Sequence, residues 1–262
     1  VLENFRPGAL DKYGIGYDDL KQINPALIYC SISGMGASGP YMNRPTYDQI
    51  AQAMSGLWSQ LTDMADPEPV GPPICDQLTG MNAAYGILGA LVGRSLNGLG
   101  QKLDVSMLGS GVAFSPAAIA AYTMEGDLPN KSSRAHGSQS YAFAGSDGKP
   151  FAIHLSTPQK FWEGCCNVAG RPDLITDERF STKSGRIRNY DQLREELLRA
   201  FGKEPREHWL KALEASDVPC GPLYDMGETL SDPQVSHLGL VQTFGEGDRS
   251  LDLLGFPVEY SA

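Results

Sequence analysis

The chain has 262 residues, of which 41 % are apolar, enough to bury the core of one large domain or of a large and a small one. Its 31 acidic and 21 basic residues give a net charge of −10, which disfavours a broad surface for nucleic acids or anionic membranes. An anionic ligand therefore has to meet a local cluster of donors and cations.

The cysteines and histidines argue against a disulfide framework and against a metal site. The five cysteines form no C-x-x-C pair, and the four histidines lack metal-ligand spacing. We therefore expect reduced thiols, a cytoplasmic protein and no metal. No stretch reaches the ~20 apolar residues that span a bilayer, because Pro116 interrupts the longest candidate, residues 109–124.

Residues 1–127 predict a large α/β domain. Val1-Leu2 runs directly into the turn Asn4–Gly8, which is typical of a strand end, so we expect a fragment whose sheet begins earlier. Apolar runs predict buried strands over 27–33 and 102–108, and helical patterns precede them over 18–23 and 76–95. This alternation is typical of a mainly parallel sheet.

The texture changes after Asp127, and residues 128–148 are predicted to be a linker because they are rich in Gly, Ser and Asn without a period. A smaller α+β domain is predicted over 149–237. Residues 238–262 are β-rich and are expected to return toward the large domain, with a truncated C-terminus. The elements predicted for the smaller domain are strands at 151–155 and 220–224, helices at 159–170, 191–201 and 205–215, and a short helix ending near Leu230.

Asp76 is the principal chemical candidate, because it stands where the Pro-rich loop 71–75 becomes a helix. The residues alone favour an N-cap, whose carboxylate accepts a bond from an unpaired first-turn amide. The alternative is a nucleophile that the helix N-terminus keeps ionised. Both roles are compatible only if one oxygen stays free. No G-x-S-x-G or H-E-x-x-H motif is present, which removes the commonest hydrolase and zinc-protease interpretations.

Taken in order, a set of short motifs resembles the family III CoA-transferases, the group that includes formyl-CoA transferase and the carnitine and bile-acid CoA-transferases. The resemblance covers nearly the whole chain. Its motifs are Glu3-Asn4-Phe5-Arg6-Pro7-Gly8, Ile23-Asn24-Pro25-Ala26-Leu27-Ile28-Tyr29, Ser31-Ile32-Ser33-Gly34-Met35-Gly36 with Gly39-Pro40-Tyr41, Arg44-Pro45-Thr46-Tyr47-Asp48, Asp76-Gln77-Leu78-Thr79-Gly80, Gly170-Arg171-Pro172-Asp173-Leu174, Asp177-Glu178-Arg179-Phe180 and Val218-Pro219-Cys220-Gly221-Pro222.

The resemblance implies a large Rossmann-like domain and a small domain, two chains interlocked as a homodimer, and a missing N-terminal βαβ segment. It implies CoA transfer from an acyl-CoA to a carboxylic acid, with CoA a substrate and no permanently bound cofactor. The resemblance also implies that Asp76 is the nucleophile and forms a mixed anhydride and then an aspartyl-CoA thioester. This implication reverses the preference for an N-cap at Asp76. The implied contacts are Asn4, Phe5, Arg6 and Lys12 for CoA, Tyr47 beside the thioester, and a mobile loop of His136, Gly137, Ser138 and Gln139 over the site.

Two alternatives remain beside this interpretation. An α-methylacyl-CoA racemase shares the fold but needs a histidine near the position of Tyr47, and a phenol of pKa ~10 is a poor base at neutral pH. A non-catalytic CoA-binding subunit is the second, and the Thr79-Gly80 context retained after Asp76 argues against it. Pro45 stands where the family often has a basic residue, and Arg44 is the nearest substitute.

Overall fold

The computed structural model describes residues 1–156 and 158–261 and divides the chain into two compact units, Val1–Arg134 and Ala135–Ala262. The first unit is built on a parallel three-stranded sheet. Leu2 lies opposite Cys30, and Tyr29 lies opposite Lys102. The predicted parallel sheet is confirmed. Its strands, in the spatial order β1-β2-β3, are β1 (Leu2–Glu3), β2 (Tyr29–Ser33) and β3 (Lys102–Ser106).

The helices of the first unit connect and follow these strands. Helix α3 has 24 residues, begins directly after Pro72-Pro73 and ends where Gly98 adopts a left-handed backbone, with φ 76°. The predicted helix 76–95 is confirmed and extends two residues further at each end. The helices are α1 (Tyr17–Ile23), α2 (Asp48–Met54), α3 (Ile74–Asn97), α4 (Met107–Ala113) and α5 (Pro116–Glu125), with 3-10 turns at Asp11–Tyr13 and Trp58–Gln60.

The second unit combines an antiparallel sheet with several helices. Its core contains an aromatic cluster in which the ring of Phe201 lies 4.9 Å from Phe143 and 5.1 Å from Trp209, centroid to centroid. The strands are β4 (Ser140–Ala144), β5 (Pro150–His154) and β6 (Cys220–Pro222), followed by a hairpin of β7 (Val241–Phe244) and β8 (Leu251–Leu254) around a 3-10 turn at Gly247–Arg249. The helices are α6 (Ser133–Ser138), which crosses the unit boundary, α7 (Gln159–Val168), α8 (Asp173–Thr176), α9 (Lys183–Arg188), α10 (Tyr190–Phe201), α11 (Arg206–Ala215), α12 (Met226–Ser231) and α13 (Pro233–His237).

The segment predicted as an irregular linker, residues 128–148, differs from that expectation because it contains α6 and β4. Tyr141 and Phe143 are buried in the core while Ala142 and Ala144 are exposed, so β4 alternates as a half-buried strand does. The small residues around it hide this alternation in the sequence. The units divide after Arg134, and residues 238–262, expected to return toward the large domain, belong to the second unit.

Arg186 is a buried cation of the second unit, with 1 % of its surface exposed. Its Nε donates to Gln139 Oε1 at 2.6 Å, one terminal nitrogen donates to Phe180 O at 2.9 Å, and the guanidinium lies 5.0 Å from the Trp162 ring centroid. Burial lowers the pKa of Arg186. Neutral oxygen acceptors thus replace water around the buried guanidinium. The hydrogen bond from Arg186 Nε also fixes the side chain of Gln139.

Within the described residues, no single helix combines the length and the apolar composition that a membrane span requires. Only α4 and α5 taken together reach both, and a bend of 69° separates them.

Two neighbouring leucines of α10 provide a test of the second core. Leu197 is fully buried, whereas Leu198 is 40 % exposed. We expect Leu197→Ala in the full-length protein to lower the free energy of unfolding by about 2–5 kcal/mol, because it leaves a cavity. Leu198→Ala should lower it by less than about 1 kcal/mol. Urea unfolding followed by the fluorescence of Trp162 and Trp209 measures both, and equal losses would contradict this core assignment.

Candidate active site

Asp76 is the third residue of α3 and does not cap it. The helix begins at Ile74, and the residue before it, Pro73, makes no side-chain cap. The cap interpretation of Asp76 is therefore wrong. Pro72 and Pro73 end the loop earlier than expected, and α3 starts before the aspartate. Asp76 lies on the exposed side of the first turn.

The capping role falls to Asp48, the buried first residue of α2. Its Oδ1 accepts a hydrogen bond from the Asp76 backbone N–H at 3.1 Å, and its Oδ2 accepts one from Gln52 Nε2 at 2.5 Å. Gln52 has no exposed surface, and its Nε2 also donates to Pro72 O at 2.9 Å. These contacts join α2, the Pro-rich loop and the start of α3. Among the described residues, Gln52 Oε1 has no hydrogen-bond partner.

The ionisation of Asp76 is set by two effects with the same sign. Partial burial raises the pKa of the Asp76 carboxyl, and the nearby charge of Asp48 raises it further. A helix N-terminus favours the ionised form, which was the expectation from the sequence. Desolvation and the charge of Asp48 act in the opposite direction and raise the pKa of Asp76 above its ordinary value.

Asp76 faces a cavity of about 550 Å³. Because β1 and β2 are parallel, their carboxyl ends open at the same edge of the sheet, where α/β proteins collect ligands. The structure thereby brings together Asp76 and the predicted Asn4, Phe5, Arg6 and Tyr47. The lining is completed by Pro7, Ile32, Ser33, Gly34, Met42, Asn43, Arg44, Pro45, Thr46, Thr79, Gly80 and Met107.

The loop that carries Arg44 and Tyr47 approaches the end of β2 very closely. A Cβ atom at Gly34 would lie only 2.4 Å from the Cβ of Thr46, so only glycine permits this approach. Tyr47 precedes α2 and is 85 % exposed. The side chain of Arg44 lies 5.6 Å from the Tyr41 ring centroid.

Two arginines supply the positive charge of the cavity. Arg6 and Arg44 both line it, and neither forms an ion pair with a carboxylate of the described residues. Arg6 also lines an adjoining cavity of about 300 Å³ that contains Lys102. Lys12, predicted to contact CoA, is exposed in a 3-10 turn and lines neither cavity.

The predicted substrate loop is not an open loop. His136, Gly137 and Ser138 form the end of α6, and Gln139 is fully buried, with φ 51°. The His136 ring stacks on Tyr190 at 4.0 Å. Gln139 Nε2 donates to Ser156 O at 2.6 Å, while its Oε1 accepts from Arg186. The single glycine of this segment therefore lies within a helix.

Sequence reasoning found the nucleophile candidate but not its support. Asp48 and Gln52 are four residues apart, on one face of α2, which is the available signal in the sequence. Their partners, Asp76 and Pro72, are distant along the chain. In the described part of the chain, no group of three or more His, Cys, Asp or Glu side chains could hold a metal ion.

The carboxyl edge of a parallel α/β sheet thus holds an exposed carboxylate beside two arginines that form no ion pair within the described residues, and such a cavity can hold an anionic ligand. The sequence profile described as CoA-transferase family III matches residues 1–262. The chain belongs to this family.

Two curated relatives illustrate the match. An acetyl-CoA:oxalate CoA-transferase of Acetobacter aceti is 37 % identical over 244 residues, covering 90 % of this chain and 61 % of the relative. A succinyl-CoA:glutarate CoA-transferase of Mus musculus is 36 % identical, covering 92 % of this chain and 55 % of the relative. The chain thus spans less than two thirds of the length of these relatives.

Solved structures share the fold over the whole chain. The orthorhombic crystal form of Rv3272 from Mycobacterium tuberculosis superposes with a TM-score of 0.88 at 27 % identity, covering 100 % of this chain and 70 % of that one. A CAIB/BAIF family protein from Brucella suis gives a TM-score of 0.85 at 32 % identity, covering 100 % and 68 %. These likenesses confirm the α/β fold class.

Replacing Asp48 by asparagine tests the electrostatics of the site. Asp48→Asn removes the charge but keeps an oxygen that can accept the Asp76 amide. Because the charge of Asp48 raises the pKa of Asp76, its removal should lower that pKa. Carbodiimide labels protonated carboxyls, and mass spectrometry measures its reaction at Asp76 as a function of pH. The pH midpoint of this reaction should be lower in Asp48→Asn than in the parent protein. Asp18→Asn, which lines the adjoining cavity, is the control and should cause no shift. An unchanged or higher midpoint in Asp48→Asn would refute this account.

Proposed function

We propose that the full-length protein transfers CoA from an acyl-CoA thioester to a carboxylic acid, with Asp76 as the nucleophile. The observation that carries the proposal is the placement of Asp76, whose carboxylate lines a cavity large enough for a thioester while Asp48 holds its backbone. Family membership supports the reaction class.

The proposed reaction starts with attack of an Asp76 carboxylate oxygen on the thioester carbonyl. The C–S bond breaks, CoA leaves as a thiolate and a mixed anhydride forms. The thiolate then attacks the Asp76 carbonyl carbon, which releases the donor acid and leaves an aspartyl-CoA thioester. An acceptor carboxylate attacks this thioester and forms a second anhydride, and the freed thiolate takes the acceptor acyl group. Asp76 is regenerated, and no water is consumed.

The oxyanions of these steps need donors other than the Asp76 and Gln77 amides. The Asp76 N–H is bound by Asp48, and the Gln77 N–H donates to Pro73 O at 3.2 Å. Other side chains that line the cavity can donate hydrogen bonds to the oxyanion. We assign this role to the Asn4 amide and the Tyr47 hydroxyl. We assign Phe5 and Arg6 to CoA.

A dicarboxylic acid is the acceptor class that we propose. The names of the two curated relatives include oxalate and glutarate, both dicarboxylates. With Arg6 assigned to CoA, Arg44 lines the cavity as a bidentate donor for the second carboxylate of the acceptor, in a protein whose net charge is −10.

We also propose that the protein is a homodimer and is located in the cytoplasm. Helix α3 exposes a row of apolar side chains, Met81, Tyr85, Leu88, Val92 and Leu96, which supports a homodimer. All five cysteines are free thiols, which supports a cytoplasmic protein.

Trapping of the covalent intermediate tests the nucleophile. Full-length protein incubated with an acyl-CoA and then with hydroxylamine should lose activity and carry a hydroxamate at Asp76, because hydroxylamine attacks the activated aspartyl carbonyl. Mass spectrometry of the peptide locates the modification. Asp76→Asn should bind the acyl-CoA but give no adduct. Loss of activity with the adduct elsewhere would assign another nucleophile.

Proton exchange separates transfer from racemisation. All four histidines lie in the second unit, so the unit that carries Asp76 has no histidine for a two-base mechanism. We expect no α-deuterium in an α-methylacyl-CoA kept with the enzyme in deuterated water without an acceptor acid. α-Deuterium incorporation detected by mass spectrometry under these conditions would favour the racemase.

A further inference from the structure

Gly80 lies one helical turn after Asp76 and lines the same cavity. Residues four apart in a helix share a face. A helical side chain leans toward the N-terminus and covers the turn before its own Cα. A side chain at position 80 would therefore extend over the turn that carries Asp76, and glycine leaves that volume open.

Neither packing nor backbone conformation requires a glycine at this position. A Cβ atom on Gly80 would meet no atom of the described residues within 4 Å, whereas one on Gly86, further along α3, would meet Leu103 Cδ2 at 3.0 Å. Gly80 also has no left-handed backbone. Within a helix, glycine is less stabilising than alanine. The fold thus gains nothing visible from Gly80, while the cavity gains space beside the carboxylate.

We propose that Gly80 is a specificity-determining residue that keeps the space over Asp76 open for the acyl group of the thioester. The inference rests on the proposed function, since it concerns the substrate of the same site. Attack requires the thioester carbonyl carbon to come within about 3–3.5 Å of an Asp76 oxygen. The acyl chain then occupies the volume next to the Asp76–Gly80 turn. A methyl group at position 80 restricts acyl chains by their size and leaves CoA binding itself intact.

The experiment compares Gly80→Ala with Gly89→Ala in the full-length protein. Gly89 is a matched control, because it is an exposed residue of α3, its Cβ would meet no atom within 4 Å, and it does not line the cavity. The ligands are unreactive thioethers, S-methyl-CoA and S-isobutyl-CoA, measured by calorimetry. Asp76 adducts are counted separately, after hydroxylamine, with acetyl-CoA and isobutyryl-CoA.

We expect Gly80→Ala to bind S-methyl-CoA within about threefold of the parent and S-isobutyl-CoA at least about tenfold more weakly. Gly89→Ala should bind both as the parent does. Gly80→Ala should raise the unfolding midpoint by about 2 °C, since alanine favours the helix. Gly89 lies beside the apolar row of α3, and Gly89→Ala is compared for ligand binding alone. A gain in stability joined to a size-dependent loss of binding is not produced by a structural role alone.

Two results would overturn the inference. One is unchanged affinity of Gly80→Ala for both thioethers, and the other is an equal loss for both, which would place the effect on CoA itself. Absence of an Asp76 adduct in the parent protein would instead refute the proposed function. The thioether affinities report on the space beside Asp76 in either case.

Discussion

The hydrogen bond from the Asp76 amide to the Asp48 carboxylate is the contact on which the site depends. It joins the first turn of α3 to the first turn of α2, two helices that reach this point along separate paths. Gln52 fixes the other oxygen of Asp48 and also binds Pro72 O, so the Pro-rich loop is held by the same side chains. Removing one partner of such a buried set leaves the others unsatisfied.

This arrangement determines where the remaining chemistry has to come from. Since the amides of Asp76 and Gln77 are already bound, these two N–H groups are not available to a developing oxyanion. Under the proposed function, Asn4 and Tyr47 take over that role from the opposite walls. The parallel pairing of β1 with β2 and the close approach of Thr46 to Gly34 place these residues there. The sheet thus contributes to the site as much as the helix that carries Asp76.

Local patterns predicted the parallel sheet and the long helix α3, because each depends on a short stretch of chain. The resemblance to the family, and not a local pattern, indicated Asn4, Phe5, Arg6 and Tyr47, which line the cavity with Asp76. What the local patterns missed depends on distant partners. Asp76 resembled a cap because Asp48, which fills that role, lies 28 positions earlier. No local pattern marks Arg186 as a buried cation, because its acceptors include Gln139, 47 positions away. The strand β4 was hidden by the small residues around Tyr141 and Phe143.

The repulsion between Asp48 and Asp76 has a consequence for catalysis under the proposed function. The same interaction that raises the pKa of Asp76 favours every form in which this side chain carries no charge. Protonation produces one such form, and acylation produces the others, since both the mixed anhydride and the aspartyl-CoA thioester are neutral at Asp76. Asp48 therefore disfavours the resting carboxylate relative to the covalent intermediates. Formation of these intermediates then requires less of the binding energy of the thioester. The negative neighbour that makes Asp76 harder to ionise also makes its ionised form more ready to be acylated.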